Sequence, residues 1–205
     1  MEISIETVER GEDESAMWRI RRDVFEGEMG IALAPPESDG ERAVAHLLAL
    51  AGPRREPVGT LSLIDTSGEE ALHAAHGLGF RPGARAARFK HLAVLRPYRG
   101  RNIPLMMMLE AYRLFVAPRR FEHTWLLFDA ERAPSSFLVR LLGFTPKADI
   151  FVSEYGARRP LLRDERAAGS ALATRVAREY LERRLGGSVG ARPAAAPAPA
   201  VYTVT

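Results

Sequence analysis

Hydrophobic and polar positions alternate or recur along the first 185 residues in a way that spells out most elements. Ile3 and Ile5 alternate with polar neighbours, the period of a half-buried strand. Glu12, Asp13 and Glu14 then place acids where a helix N-terminus favours them. Met17, Ile20, Val24 and Phe25 follow at helical spacing, which predicts a helix over 14–28. Pro35 to Gly40 reads as a loop. The run from Ala43 to Leu50 suits helix or strand by period. Its closeness to the turn Pro53–Pro57 and to the strand Val58–Ile64 favours two strands of an antiparallel meander.

The second half alternates strands with helices. A short polar helix is expected over 68–77, a buried strand over 89–95, a turn at Arg96–Gly100, and a helix from Pro104 to Val116. Next come a strand at His123–Phe128, a helix at Pro134–Leu142 and a strand at Ile150–Ser153. From Asp164 to Leu185 the positions Leu172, Val176 and Tyr180, with Ala173, Ala177 and Leu181, are helical again. Residues 186–205, rich in Ala and Pro, read as a disordered tail. The expected class is α/β or α+β around a mixed sheet, with no internal repeats.

Composition adds exclusions. The 205 residues are 46% hydrophobic and 27% charged, the balance of a globular protein. Cysteine is absent, which removes disulfides, thiolate metal sites and a cysteine nucleophile. No apolar run approaches the ~20 residues of a membrane span, and the N-terminus carries no basic or apolar leader, so a cytoplasmic location is expected. The net charge of +3 hides an asymmetry. Residues 1–80 hold 7 basic and 16 acidic side chains, residues 81–205 hold 22 and 10. The densest basic stretch, 81–120, contains a single acid, Glu110. An anionic partner for the second half follows.

That stretch contains the element with the clearest chemistry: a strand, the turn 96–103, then a helix. Such a turn exposes unpaired N–H groups at the positive end of a helix dipole, a site for phosphate or diphosphate. Gly100 allows close approach, Asn102 tolerates a left-handed backbone, and Arg96, Arg99 and Arg101 add charge.

The segment Leu92-Ala-Val-Leu-Arg96-Pro-Tyr-Arg99-Gly100-Arg101-Asn102-Ile103-Pro104 resembles the strand end and pantetheine-diphosphate loop of the GNAT acyltransferase superfamily. That loop has the pattern Arg/Gln-x-x-Gly-x-Gly/Ala. Arg99 fits the first position, whereas Asn102 and Pro104 replace the two later glycines, and Pro104 supplies no N–H. Ala133–Pro146, ending Gly143-Phe144-Thr145-Pro146, resembles the family's helix and Gly-Phe-x-Pro turn. The tyrosine often found four residues before that glycine, where it protonates the leaving thiolate, is Val139 here.

Arg21-Arg22-Asp23-Val24-Phe25-Glu26-Gly27-Glu28-Met29-Gly30 resembles the Arg-x-x-Val-Phe…Glu-Met-Gly segment of N-acyl amino acid synthases, relatives of acyl-homoserine-lactone synthases. Asp39 and the stretches 45–49 and 58–61 continue the likeness, which covers about 1–160. Ser62 and the stretch 88–91 depart from the lactone synthases, which usually carry an arginine and a glutamate in those neighbourhoods.

The resemblance implies a GNAT-like, largely antiparallel sheet flanked by helices over 1–160, with an added helix over 161–185. It implies acyl transfer, with a medium or long chain, from acyl-CoA or acyl carrier protein as co-substrate. The acceptor would be the primary amine of an amino acid or peptide. No cofactor would be permanently bound, and no metal or nucleic acid is implied. Leu92, Ala93, Val94, Arg99, Gly100, Arg101, Asn102 and Ile103 would hold the donor, and Arg22, Phe25, Glu28 and Asp39 the acceptor or acyl group. His91 is the candidate proton acceptor, with a solvent-facing strand histidine as the plain alternative. His46 reads as structural. His73 and His76 lie three apart on a helix face without an evident third ligand. An acetyl-CoA-dependent small-amine acetyltransferase and a non-catalytic carrier-binding module are the other readings.

Overall fold

The computed structural model describes residues 1–8, 12–33, 43–153, 156–184 and 200–203. The expected 35–40 loop, Asp39 within it, and residues 186–199, 204 and 205 of the expected 186–205 tail lie outside them.

The elements run β1 (Glu2–Thr7), α1 (Glu12–Arg21), β2 (Ala43–Ala51), β3 (Glu56–Asp65), α2 (Glu70–Ala75), β4 (Ala86–Val94), α3 (Ile103–Ala111), α4 (Ala117–Arg119), β5 (His123–Asp129), α5 (Phe137–Arg140), β6 (Thr145–Pro146), β7 (Phe151–Ser153), β8 (Gly156–Asp164), α6 (Ala168–Arg184) and β9 (Ala200–Thr203). The strands form one sheet in the order β6-β8-β5-β4-β3-β2-β1-β9, with β7 also paired to β8. All recorded pairings are antiparallel except β4–β5. This is the mixed, largely antiparallel sheet flanked by helices that the sequence implied.

The ambiguity of 43–50 has a simple cause. β2 is covered on both faces, so its apolar residues run on without alternating. Leu48 and Leu50 face α1 beside Met17, Ile20, Val24 and Ala93. Leu47 and Ala49 face the main core with Ile3, Ile5, Leu61, Phe89, α3, and Ala177 and Leu181 of α6. Met106, Met107 and Met108 are all fully buried, so α3 is enclosed all round.

Five elements differ from expectation. α1 runs straight into a π-helical turn at Arg22–Glu28, and α3 into another at Tyr112–Val116. The expected 134–142 helix shrinks to a 3₁₀ turn and the single turn α5, because Ser136 adopts an extended backbone between them. β8 was hidden by Arg158-Arg159-Pro160, which breaks the alternation. Residues 200–203, expected within a disordered tail, pair as a strand on the outer edge of β1.

A buried polar network ties the end of the sheet to the helices. Tyr112 Oη bonds Thr124 Oγ1 at 2.9 Å, and Thr124 donates on to Glu165. Glu165 pairs with Arg163 at 3.3 Å. The Arg163 guanidinium lies 4.3 Å from the Tyr112 ring and donates to Ser170 O and Thr174 Oγ1 of α6, both at 2.7 Å. Burial pushes the Tyr112 hydroxyl well up, reinforced by the Glu165 charge, and burial also raises the Glu165 carboxyl.

Candidate functional site

The parallel strands β4 and β5 pair only at Ala86–His123, Ala87–Thr124 and Arg88–Trp125. Beyond that rung the two separate, and the reason is local. β5 stays fully paired to β8 from His123 to Asp129. β4 stays paired to β3 but carries a bulge, since Thr60 faces Ala93 and Ser62 faces Lys90, leaving His91 and Leu92 opposite one residue. His91 has φ +51°, a left-handed backbone that His tolerates better than most side chains. A bulge sharpens twist and turns a strand away from its neighbour. The sheet therefore opens into a wedge with Arg88 stacked over Trp125 at 4.7 Å near its apex.

Leu92 of β4, Phe128 of β5, and Phe137, Val139 and Leu141 of the segment beyond are half-buried apolar side chains that pack against the main core. At its wide end β4 runs through the 3₁₀ turn Arg96–Tyr98 to α3. Gly100 (φ +79°) and Asn102 (φ +59°) both adopt left-handed backbone, with Arg101 between them. The N–H groups of Gly100, Arg101, Asn102 and Ile103 have no main-chain acceptor among the described residues. Successive N–H groups in such a turn make an anion-binding concavity at the positive end of α3. The Arg99 N–H is not part of it, being bonded to Arg96 O at 3.3 Å.

Apart from Asp39, the residues singled out in the sequence can be located. Ala93 and Val94 are buried and their side chains belong to the two cores, so only their backbone is available to a ligand. Ile103 is likewise buried, whereas Gly100 and Arg101 are exposed and Asn102 is half-buried. The Arg101 guanidinium lies 3.8 Å from Met1 Sδ. Arg99 turns back across the strand end. Its Nε donates to Val94 O at 3.0 Å, and its Nη2 pairs with Glu28 Oε2 at 2.8 Å. Two residues assigned to opposite substrates thus hold each other. Phe25 meets His91 edge to face at 6.0 Å, which brings the π-helical turn of α1 over the bulge. Arg22 is exposed.

The buried arginine of that segment is Arg21, fully enclosed between α1 and the sheet. Its guanidinium donates to Ser62, lies 3.4 Å from His46 Nδ1 and sits 4.8 Å from the Trp18 ring. His46 Nδ1 bonds Ser62 Oγ at 2.8 Å. The signal was present: Arg21 follows Met17 by four residues and precedes Val24 by three, on the apolar face of the helix. Glu56 was also missed. It accepts the Tyr98 hydroxyl at 2.7 Å, which raises that hydroxyl above its ordinary value and ties the turn to β3.

His73 and His76 sit in an aromatic cluster. Phe80 packs against His73 at 4.8 Å and stacks on His123 at 4.4 Å, while His76 lies 5.2 Å from Trp125. Trp125 Nε1 donates to Thr66 Oγ1 at 3.1 Å. Burial lowers both His73 and His123 below the usual histidine value. Among the described residues no group of three His, Asp or Glu side chains could hold a metal ion, and no helix is long and apolar enough to cross a membrane.

No family profile and no curated protein matches the sequence. Solved structures do resemble the fold. FeeM, an N-acyl amino acid synthase from uncultured soil microbes, aligns over 79% of this chain and 89% of its own, with a TM-score of 0.62 at 16% identity. BjaI, a CoA-dependent acyl-homoserine lactone synthase solved with SAM and isopentyl-CoA, aligns over 87% and 89%, with a TM-score of 0.64 at 19% identity. An acyl-CoA N-acyltransferase from Pseudomonas aeruginosa aligns over 78% and 99%, with a TM-score of 0.58 at 15% identity. The split between β4 and β5, the bulge at His91 and the turn into α3 thus sit in a chain that has a GNAT-like fold.

Proposed function

We propose that the protein is an N-acyltransferase that moves an acyl group from a phosphopantetheine thioester to a primary amine. The observation that carries this reading is the wedge between β4 and β5, ending at four N–H groups without main-chain acceptors before α3. An extended pantetheine arm fits such a wedge because unpaired strand edges offer it hydrogen bonds. Its phosphate would meet the turn 100–103, where the helix dipole and the N–H groups favour negative charge. Partly buried side chains on and beyond these strands, Leu92, Phe128, Phe137, Val139 and Leu141, would take the acyl chain, which we assign as medium or long.

In the reaction the amine nitrogen attacks the thioester carbonyl carbon, a C–N bond forms, and the C–S bond breaks. Main-chain N–H groups around the bulge at His91–Leu92 would stabilise the oxyanion, and positioning supplies much of the rate. The ammonium must first lose a proton, and His91, beside Phe25, is the acceptor we assign. Val139 has no proton to give, so the proton for the leaving thiolate comes from His91 or water. With no cysteine among the 205 residues, no cysteine thioester of the enzyme intervenes. The acceptor class we assign is an amino acid or peptide amine, and the donor is acyl-CoA or acyl carrier protein.

The test is incubation with matched acyl-CoA and acyl-carrier-protein series and mixed amines, read by mass spectrometry. Amide products from longer chains are expected. Acetyl-CoA as the preferred donor would replace this reading with small-molecule acetylation. No product from any donor would refute catalysis.

A further inference from the structure

Building on that reading, we propose that Arg99 is exchanged between Glu28 and the donor phosphate, so that donor binding uncovers the carboxylate that receives the acceptor ammonium. Arg99 is held from two sides: Val94 O takes Nε at 3.0 Å and Glu28 Oε2 takes Nη2 at 2.8 Å. Glu28 ends the π-helical turn of α1, the segment whose Phe25 lies against His91. Arg99 directly precedes Gly100–Ile103, whose N–H groups form the anion site. The residue directly before the phosphate turn therefore holds Glu28 through its guanidinium.

The energetics allow the exchange. The Arg99 and Glu28 side chains are 46% and 33% exposed. A pair in that setting is weak because water and salt screen it. A phosphate monoester or diphosphate offers more charge and matches the planar guanidinium at two points. Rotation about the Arg99 side chain then leaves Glu28 as a bare carboxylate beside the end of β4. A cation binding there is favoured once the donor has taken Arg99, and linkage makes the effect reciprocal.

The experiment is calorimetric titration of the full chain with CoA at low salt, for the unmodified protein, Glu28→Gln, Arg99→Ala and the double variant. Glu28→Gln frees Arg99 and is expected to tighten CoA binding about two- to fivefold, the range of a surface ion pair. Arg99→Ala is expected to weaken it about tenfold. In the Arg99→Ala background Glu28→Gln should gain nothing. Unchanged or weaker binding by Glu28→Gln overturns the exchange. So does an equal gain with and without Arg99, which would mean simple charge repulsion from Glu28. If the unmodified protein binds neither CoA nor acyl carrier protein, the phosphate-site reading itself falls, and the exchange falls with it. Steady-state kinetics add a signature that a structural role would not give: Glu28→Gln lowers the donor KM while raising the amine KM.

Discussion

The left-handed pair Gly100 and Asn102 supports a quantitative prediction about the turn proposed to bind phosphate. At Gly100 φ is +79°, and a Cβ built there meets nothing within 4 Å. Alanine would therefore fit by space, and its whole cost is conformational, about 1–2 kcal/mol for an L-residue in the left-handed region. That cost must appear somewhere. If the turn keeps its shape, the folded state carries the strain, and a 205-residue chain loses about 2–8 °C in Tm. If the turn relaxes instead, stability is spared but the N–H groups no longer converge. Donor affinity then falls by up to about thirtyfold, the same energy expressed as binding. The assay pairs thermal melts, with and without CoA, with calorimetric titration of Gly100→Ala. Asn102→Gly is the control, since glycine accepts φ +59° without penalty. Gly100→Ala leaving both Tm and CoA affinity unchanged would refute the assignment of this turn as a conformationally fixed anion site.

Other expectations follow from the same geometry. His91→Asn keeps a side chain that tolerates φ +51° and should leave Tm nearly unchanged, yet lower kcat by about 10²–10⁴-fold; activity equal to the unmodified protein would remove His91 from proton transfer. Met107→Ala in the enclosed α3 should cost about 2–5 kcal/mol, read by urea denaturation. Burial holds His73 and His123 below the usual histidine value, so folding favours their neutral forms. Stability is then fully present above the ordinary histidine range and is lost as pH falls through and below about 6.5, by at most about 1.4 kcal/mol per pH unit for each. A flat denaturation midpoint between pH 7.5 and 5 would contradict this.

Local pattern made the elements legible where one face of each was buried. Ile3 and Ile5 marked β1, and Met17, Ile20 and Val24 marked α1, because alternation and helical spacing record which side is dry. The turn 96–103 was legible for another reason: glycine and asparagine sit where backbone must turn left-handed, a property of the residue rather than of its surroundings. Pattern failed where burial was two-sided or where polar residues were paired inside. β8 escaped because Arg159 and Pro160 interrupt its alternation, and Arg163 is buried only by virtue of Glu165, Tyr112 and α6. Arg21, rather than Arg22, turned inward because Ser62 and His46, 41 and 25 residues away, offer it partners.

The sequence by itself determined the order of most elements, the basic charge of the second half and the left-handed positions of one turn before α3. These follow from residue types and spacings along the chain. The tertiary structure alone decided that β4 parts from β5 after Arg88, since that depends on a bulge measured against β3 and on β5 staying with β8. It also decided that Glu28 and Arg99, 71 positions apart, share one ion pair. Sequence carries each residue's chemistry, but proximity between distant residues arises only when strands choose neighbours.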